Sequence, residues 1–182
     1  LGGTFAPADN VQALSDGNID SLRKRVLYAN VHTTSSPGGE IRGTLHGISQ
    51  AIFNANLSSL NESPSFIGSG IGGVKAEIFD TRMTVVGSFS NLLGEFNGGA
   101  HFHNGANGVN GGVAIPLKAI ASADKKSGQF VVDSNQYTLT TDQLLNIAAG
   151  NMYANVHSSA YTGGEIRGQV LLDPNNFPNA SI

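Results

Sequence analysis

The chain has 182 residues, a formal net charge of −3 and a pI near 5.9. Its one dense cationic run, Arg23-Lys24-Arg25, is too small to be an electrostatic footprint for nucleic acid and reads as a solvated face. The absence of Cys excludes disulfides, thiolate metal sites and Cys nucleophiles, and no run of about 18 apolar residues suits a helical membrane span.

Hydrophobic residues make up 40% of the chain, enough for a packed core, whereas charged residues are 13%, about half the usual share. With 24 Gly and apolar residues spread along the whole length, this composition predicts short strands joined by tight turns rather than disorder. Leu1-Gly2-Gly3 carries neither Met nor a signal-peptide pattern, which fits a processed or excised piece of a longer protein.

In chain order, Ser15-Asp16-Gly17-Asn18 ahead of Ile19 and Leu22 marks the start of a short helix or turn. Residues 28–45, YANVHTTSSPGGEIRGTL, read as two strands around a turn. The segment returns at 153–170 as YANVHSSAYTGGEIRGQV, with 11 of 18 positions identical at an offset of 153 − 28 = 125. A repeat that long is a duplicated small domain and not a solenoid. Residues 1–47 are therefore read as the C-terminal part of one unit, 48–173 as a complete unit, and 174–182 as a tail or linker. His46, which follows the first hairpin, reads as surface.

Within the complete unit, residues 50–60 and 74–90 alternate as strands do, and 113–119 and 129–133 are short apolar runs. Thr140-Thr141-Asp142-Gln143 opens a short helix or turn carrying Leu144, Leu145 and Ile147, and Gly150-Asn151 closes it. Several short strands with Gly-rich turns predict an all-β sandwich or barrel.

Two features carry chemistry. In the second hairpin, Tyr153, Asn155 and His157 share one strand face, and Glu165, Arg167 and Gln169 share one face of the other strand. Setting His157 against Glu165, Asn155 against Arg167 and Tyr153 against Gln169 places every polar group on one side. The first copy repeats the scheme with His32 near Glu40 and Asn30 near Arg42. Two readings stand: a structural polar ladder whose Glu165 and Arg167 bond to neighbouring loops, or a metal ligand, His157, oriented by Glu165 behind it. The other feature is His101-Phe102-His103. On a strand both imidazoles point one way and Phe102 points into the core. If the strand of His157 lies alongside, three imidazoles with an open position suit copper or zinc. Met83 and Met152 have no sequence-based place near them. The first copy has His32 but no His-x-His, so a complete site is expected in the second unit only.

The element AHFHNGANGVNGGV at 100–113, followed by YANVH…GGEIRG at 153–168 and preceded by its copy at 28–43, resembles the motif pair of the CHRD (chordin-type) domain. Pro37 is kept in the first copy, where Thr162 stands in the second; Asn104 interrupts the family's His-x-His-Gly, and Gly112 replaces its usual Pro. The resemblance covers about residues 47–173 and the end of a preceding copy. It implies an antiparallel, immunoglobulin-like β-sandwich similar to Cu,Zn superoxide dismutase, in proteins that are extracellular or on the cell surface. It further implies a structural or binding role, with other protein subunits or extracellular matrix as partners. The alternative is a copper-binding protein, a carrier or one with dismutase-like activity, using His101, His103 and His157 with Glu165 behind them. The chain lacks the dismutase Cys pair and His-rich zinc loop. No Ser-His-Asp order or carboxylate pair is recognisable and Gly70-Ile71-Gly72-Gly73 has no P-loop Lys, so the reading leans away from an enzyme. The partial copy raises a further expectation, that its hairpin completes a neighbouring molecule's sheet and chains subunits into a fibre. Asn56-Leu57-Ser58 and Asn179-Ala180-Ser181 would accept N-glycans in a eukaryotic secreted protein.

Overall fold

The structure is a computed structural model that describes residues 5, 13–24, 26–45 and 51–174. His46 and all of the expected tail after Pro174 lie outside the described residues. The chain divides into two compact units, Leu1–Gly47 and Ile48–Ile182.

In the first unit, helix α1 (Asp16–Arg23) begins where the Ser15 side chain accepts a hydrogen bond from the Asn18 N–H at 3.2 Å. This satisfies one of the free N–H groups of the first turn, and Asp16 adds a favourable negative charge there. Strands β1 (Tyr28–Val31) and β2 (Ile41–Thr44) pair antiparallel with Asn30 opposite Arg42. Tyr28, Ile41 and Leu45 of this hairpin are exposed.

The second unit is an all-β, sandwich-like fold. Its strands are β3 (Ala51–Ser58), β4 (Ile71–Phe79), β5 (Arg82–Ser90), β6 (Phe96–Asn104), β7 (Val113–Pro116), β8 (Ala119–Ala121), β9 (Gly128–Phe130), β10 (Gln136–Thr138), β11 (Met152–Ser158), β12 (Ile166–Gln169) and β13 (Leu171–Leu172). They run in the order β7-β6-β11-β12-β3-β4-β5-β9-β8, with β10 on β5 and β13 on β3, and every pairing is antiparallel. The sheet curls around a core that includes Phe53, Val85, Phe89, Phe102, Ile115, Met152, Val156 and Ile166. Phe89 packs its ring against Phe96 and Phe130 at centroid distances of 5.0 and 5.8 Å, a spacing at which tilted rings attract.

Three local findings refine the sequence reading. The stretch 74–90 is a hairpin, because Asp80 takes a left-handed conformation (φ 56°) and reverses the chain between β4 and β5; Asp tolerates that region better than most residues. The apolar stretch 113–119 splits between β7 and β8. Helix α2 (Thr141–Ala148) carries a reciprocal cap, with the Thr140 hydroxyl accepting from the Gln143 N–H and the Gln143 side chain accepting from the Thr140 N–H. Gly150 follows at φ 70°, and Ile147 is driven into the core.

The hairpin of β11 and β12 sits in the middle of the sheet, between β6 and β3. Its register sets Tyr153 opposite Gln169 and Asn155 opposite Arg167, as the polar pattern requires. Its polar face is nonetheless buried. Tyr153, Asn155, Glu165 and Arg167 are each 3% exposed or less, because loops from elsewhere in the unit cover them.

Candidate metal centre

Strands β6 and β11 are neighbours, with Tyr153 opposite His103 and Asn155 opposite His101. His157 lies one step beyond, diagonal to His101 on the same face, within reach for long side chains. A register shift between Val156 and Ser158 marks a bulge there. Opposite His157 stands Gly99, where an added Cβ would lie 3.2 Å from the His157 Cβ and 3.3 Å from its Cδ2. The glycine leaves the volume that the imidazole needs.

The three rings converge. His101 Nδ1 and His157 Nε2 are 3.3 Å apart, and one ligand atom from each of His101, His103 and His157 lies within 4.8 Å of the others. Two nitrogens each 2.0–2.1 Å from a tetrahedral ion would stand about 3.3–3.4 Å apart. His103 is buried, whereas His101 and His157 are half-buried.

Hydrogen bonds fix which nitrogens are free. His103 Nδ1 is 3.0 Å from the Gly111 carbonyl and His157 Nδ1 is 2.9 Å from the Thr162 carbonyl. A carbonyl only accepts, so each Nδ1 carries the proton, and in the neutral ring Nε2 keeps a bare lone pair. The Nε2 of His103 is buried with no hydrogen-bond partner. Burial holds the pKa of His101 below the usual histidine value, and the neighbouring His157 and His103 lower it further. Burial likewise lowers that of His103; the Gly111 carbonyl opposes this, and His157 and Arg167 add to it. The neutral imidazole that burial favours at His101 and His103 is the form in which histidine binds a cation.

Glu165 does not orient His157, contrary to the sequence expectation. Its carboxylate accepts from the Leu93 N–H at 2.5 Å, from the Gly94 N–H at 3.2 Å and from the Ser158 hydroxyl. The two backbone donors tie it to the 91–94 loop and Ser158 ties it to β11, while the His157 Nδ1 proton is already taken by the Thr162 carbonyl. The partner behind His157 is thus a backbone group of its own turn.

Arg167 is also fully buried. It donates to the Asn110 side-chain oxygen at 3.0 Å and to the carbonyls of Val109 and Ala106 at 2.8 and 3.3 Å. Its guanidinium lies 3.4 Å from the centre of the Tyr153 ring, and Tyr153 stacks on His103 with centroids 4.8 Å apart and planes 4° from parallel. Asn155 donates to Glu62 at 3.0 Å. Both Glu165 and Arg167 therefore make the loop bonds of a structural polar ladder, while His157 turns toward the His101–His103 pair. Sequence reasoning missed Gly99, Gly111, Thr162, Asn110 and Glu62. Backbone carbonyls leave no side-chain signature; for Gly111 and Asn110 the Gly-Val-Asn-Gly motif was the available signal.

The profile of the CHRD domain matches residues 2–45 and 53–170. The chain belongs to the CHRD domain family. The matched segments correspond to the C-terminal part of one CHRD repeat and to a second repeat that carries both motifs. No curated protein and no solved structure matches the chain. Among the described residues no helix is long and apolar enough to cross a membrane.

Proposed function

We propose that this CHRD chain is a binding module of an extracellular assembly, and that its second repeat holds one transition-metal ion through His101, His103 and His157. The observation that carries the proposal is the buried, unpartnered Nε2 of His103, aimed into a cluster in which burial also favours the neutral form of His101. Three nitrogen donors without thiolate, thioether or carboxylate suit copper(II) or zinc and do not suit calcium or magnesium, which take oxygen ligands.

The test is titration of the chain with copper(II), read by calorimetry and electron paramagnetic resonance. One equivalent bound per chain, with nitrogen superhyperfine structure that changes in His101→Ala and His157→Ala, is expected. His32→Ala, in the first repeat, should leave the stoichiometry unchanged. A spectrum without nitrogen coupling, or one that is unaltered in His101→Ala, removes the metal reading.

A second reading, self-assembly through the partial repeat, is favoured by one comparison. Tyr28, Ile41 and Leu45 are 55, 66 and 43% exposed, whereas their counterparts Tyr153, Ile166 and Val170 are 3, 0 and 1% exposed. A two-stranded hairpin is marginal without further strands or a packed face, and a second copy of the chain would supply both.

A further inference from the structure

We infer that Arg167 is a positioning residue for the metal centre, acting on His103 from two sides without touching it; this rests on the three-histidine reading. The first route is through the backbone. Arg167 binds the Ala106 and Val109 carbonyls and the Asn110 side chain, which gathers the 105–111 loop around its guanidinium. The next residue, Gly111, gives the carbonyl that accepts the His103 Nδ1 proton. The loop can fold back this far only with glycine at 111, where a Cβ would fall 1.5 Å from the Asn104 carbonyl oxygen. The Asn110 side chain donates to the Ser63 carbonyl at 2.9 Å, and the Ser63 hydroxyl donates to the Gly108 carbonyl at 3.0 Å, so the loop is clasped from outside as well.

The second route is through the rings. Arg167 covers one face of Tyr153 and His103 stacks on that ring. The Tyr153 hydroxyl also accepts from the Gly111 N–H at 3.2 Å, so stack and loop lock each other. The guanidinium thereby sets both the tautomer of His103 and the plane of its ring. A planar five-donor cation suits this place and an ammonium does not, because the contacts need a flat face and a fork at once.

The experiment uses the full chain with Arg167→Lys and Asn110→Ala, and Phe89→Leu as a core variant away from the site. Nitrogen-15 NMR of the metal-free protein reads the His103 tautomer, and zinc titration reads affinity. Wild type and Phe89→Leu should show the proton on Nδ1. Arg167→Lys should show a mixture of tautomers and zinc affinity about 10- to 100-fold weaker, still at one ion per chain, the usual scale for losing the partner behind a metal ligand. Asn110→Ala should move both readouts in the same direction, and it decides the matter should Arg167→Lys not fold. An unchanged tautomer in the folded variants, or a loss of affinity matched by Phe89→Leu, overturns the inference. Absence of zinc binding by wild type would count against the metal reading, whereas the tautomer measurement would still judge the role of Arg167.

Discussion

The repeated hairpin offers an internal control for what a buried carboxylate contributes. Glu40 and Glu165 occupy the same motif position. Glu40 is exposed and its carboxylate accepts from the Thr33 hydroxyl at 2.5 Å, whereas Glu165 is 0% exposed and accepts from three donors. Truncation by Glu165→Ala leaves two backbone N–H groups and a hydroxyl without their acceptor, at about 1–3 kcal/mol each. Water can reach the exposed Leu93 but not the buried Gly94 and Ser158, so two groups count, at about 2 kcal/mol each, and the total is about 4 kcal/mol. For a unit of roughly 125 residues the unfolding entropy is about 0.26 kcal/mol/K, so 4 kcal/mol corresponds to a fall in Tm of about 15 °C. Glu40→Ala should cost under about 0.5 kcal/mol, as surface substitutions do. The assay is thermal unfolding of both variants by circular dichroism. Shifts that agree within about 2 °C would show that the loop bonds of Glu165 contribute little, and the account of this buried face would be wrong.

Two further outcomes follow. Burial pushes the Glu62 carboxyl up to about 7 from 4.5, against the opposing pull of Arg167, the Ser63 backbone and Asn155. The folded state then keeps a proton that the unfolded state releases, so stability should fall as pH rises from about 4.5 through about 7; with the group partly exposed, solvent screening reduces the effect to about 1–1.5 kcal/mol. Urea midpoints at pH 5 and pH 8 should show this difference, Glu62→Gln should flatten it, and an equal slope in both proteins would refute it. For self-assembly, sedimentation velocity should show concentration-dependent association of wild type that Ile41→Asp abolishes, and identical sedimentation of the two would remove that reading.

The register of the hairpin was legible because strand side chains alternate and a one-residue slip would have sent Asn155 and Arg167 to the apolar side. The convergence of His101, His103 and His157 followed from the same parity, given that β11 lies beside β6. The role of Glu165 was not legible. Parity states which neighbours share a face, but not which loop covers it, and two of the three donors to Glu165 come from Leu93 and Gly94, about 70 residues earlier. The same holds for Arg167, whose acceptors sit on the 105–111 loop.

The two copies also separate what the hairpin encodes locally from what the rest of the repeat adds. In both copies the histidine Nδ1 bonds a carbonyl five residues ahead, Pro37 at 2.7 Å and Thr162 at 2.9 Å. Only the backbone accepts, which is why Pro in one copy and Thr in the other serve equally. That bond exists in the first unit among exposed residues, so the hairpin alone turns Nε2 outward before any partner strand is present. The arginine behaves differently. Arg42 sits 5.5 Å from the Tyr28 ring centre and Arg167 only 3.4 Å from that of Tyr153, and in the second copy carbonyls of the covering loop bind the guanidinium as it rests on the ring. Presentation of the third histidine is therefore a property of the hairpin, and the placing of His103 is a property of the completed repeat. A defect in the first should remove a ligand, and a defect in the second should leave three ligands that no longer agree on a position.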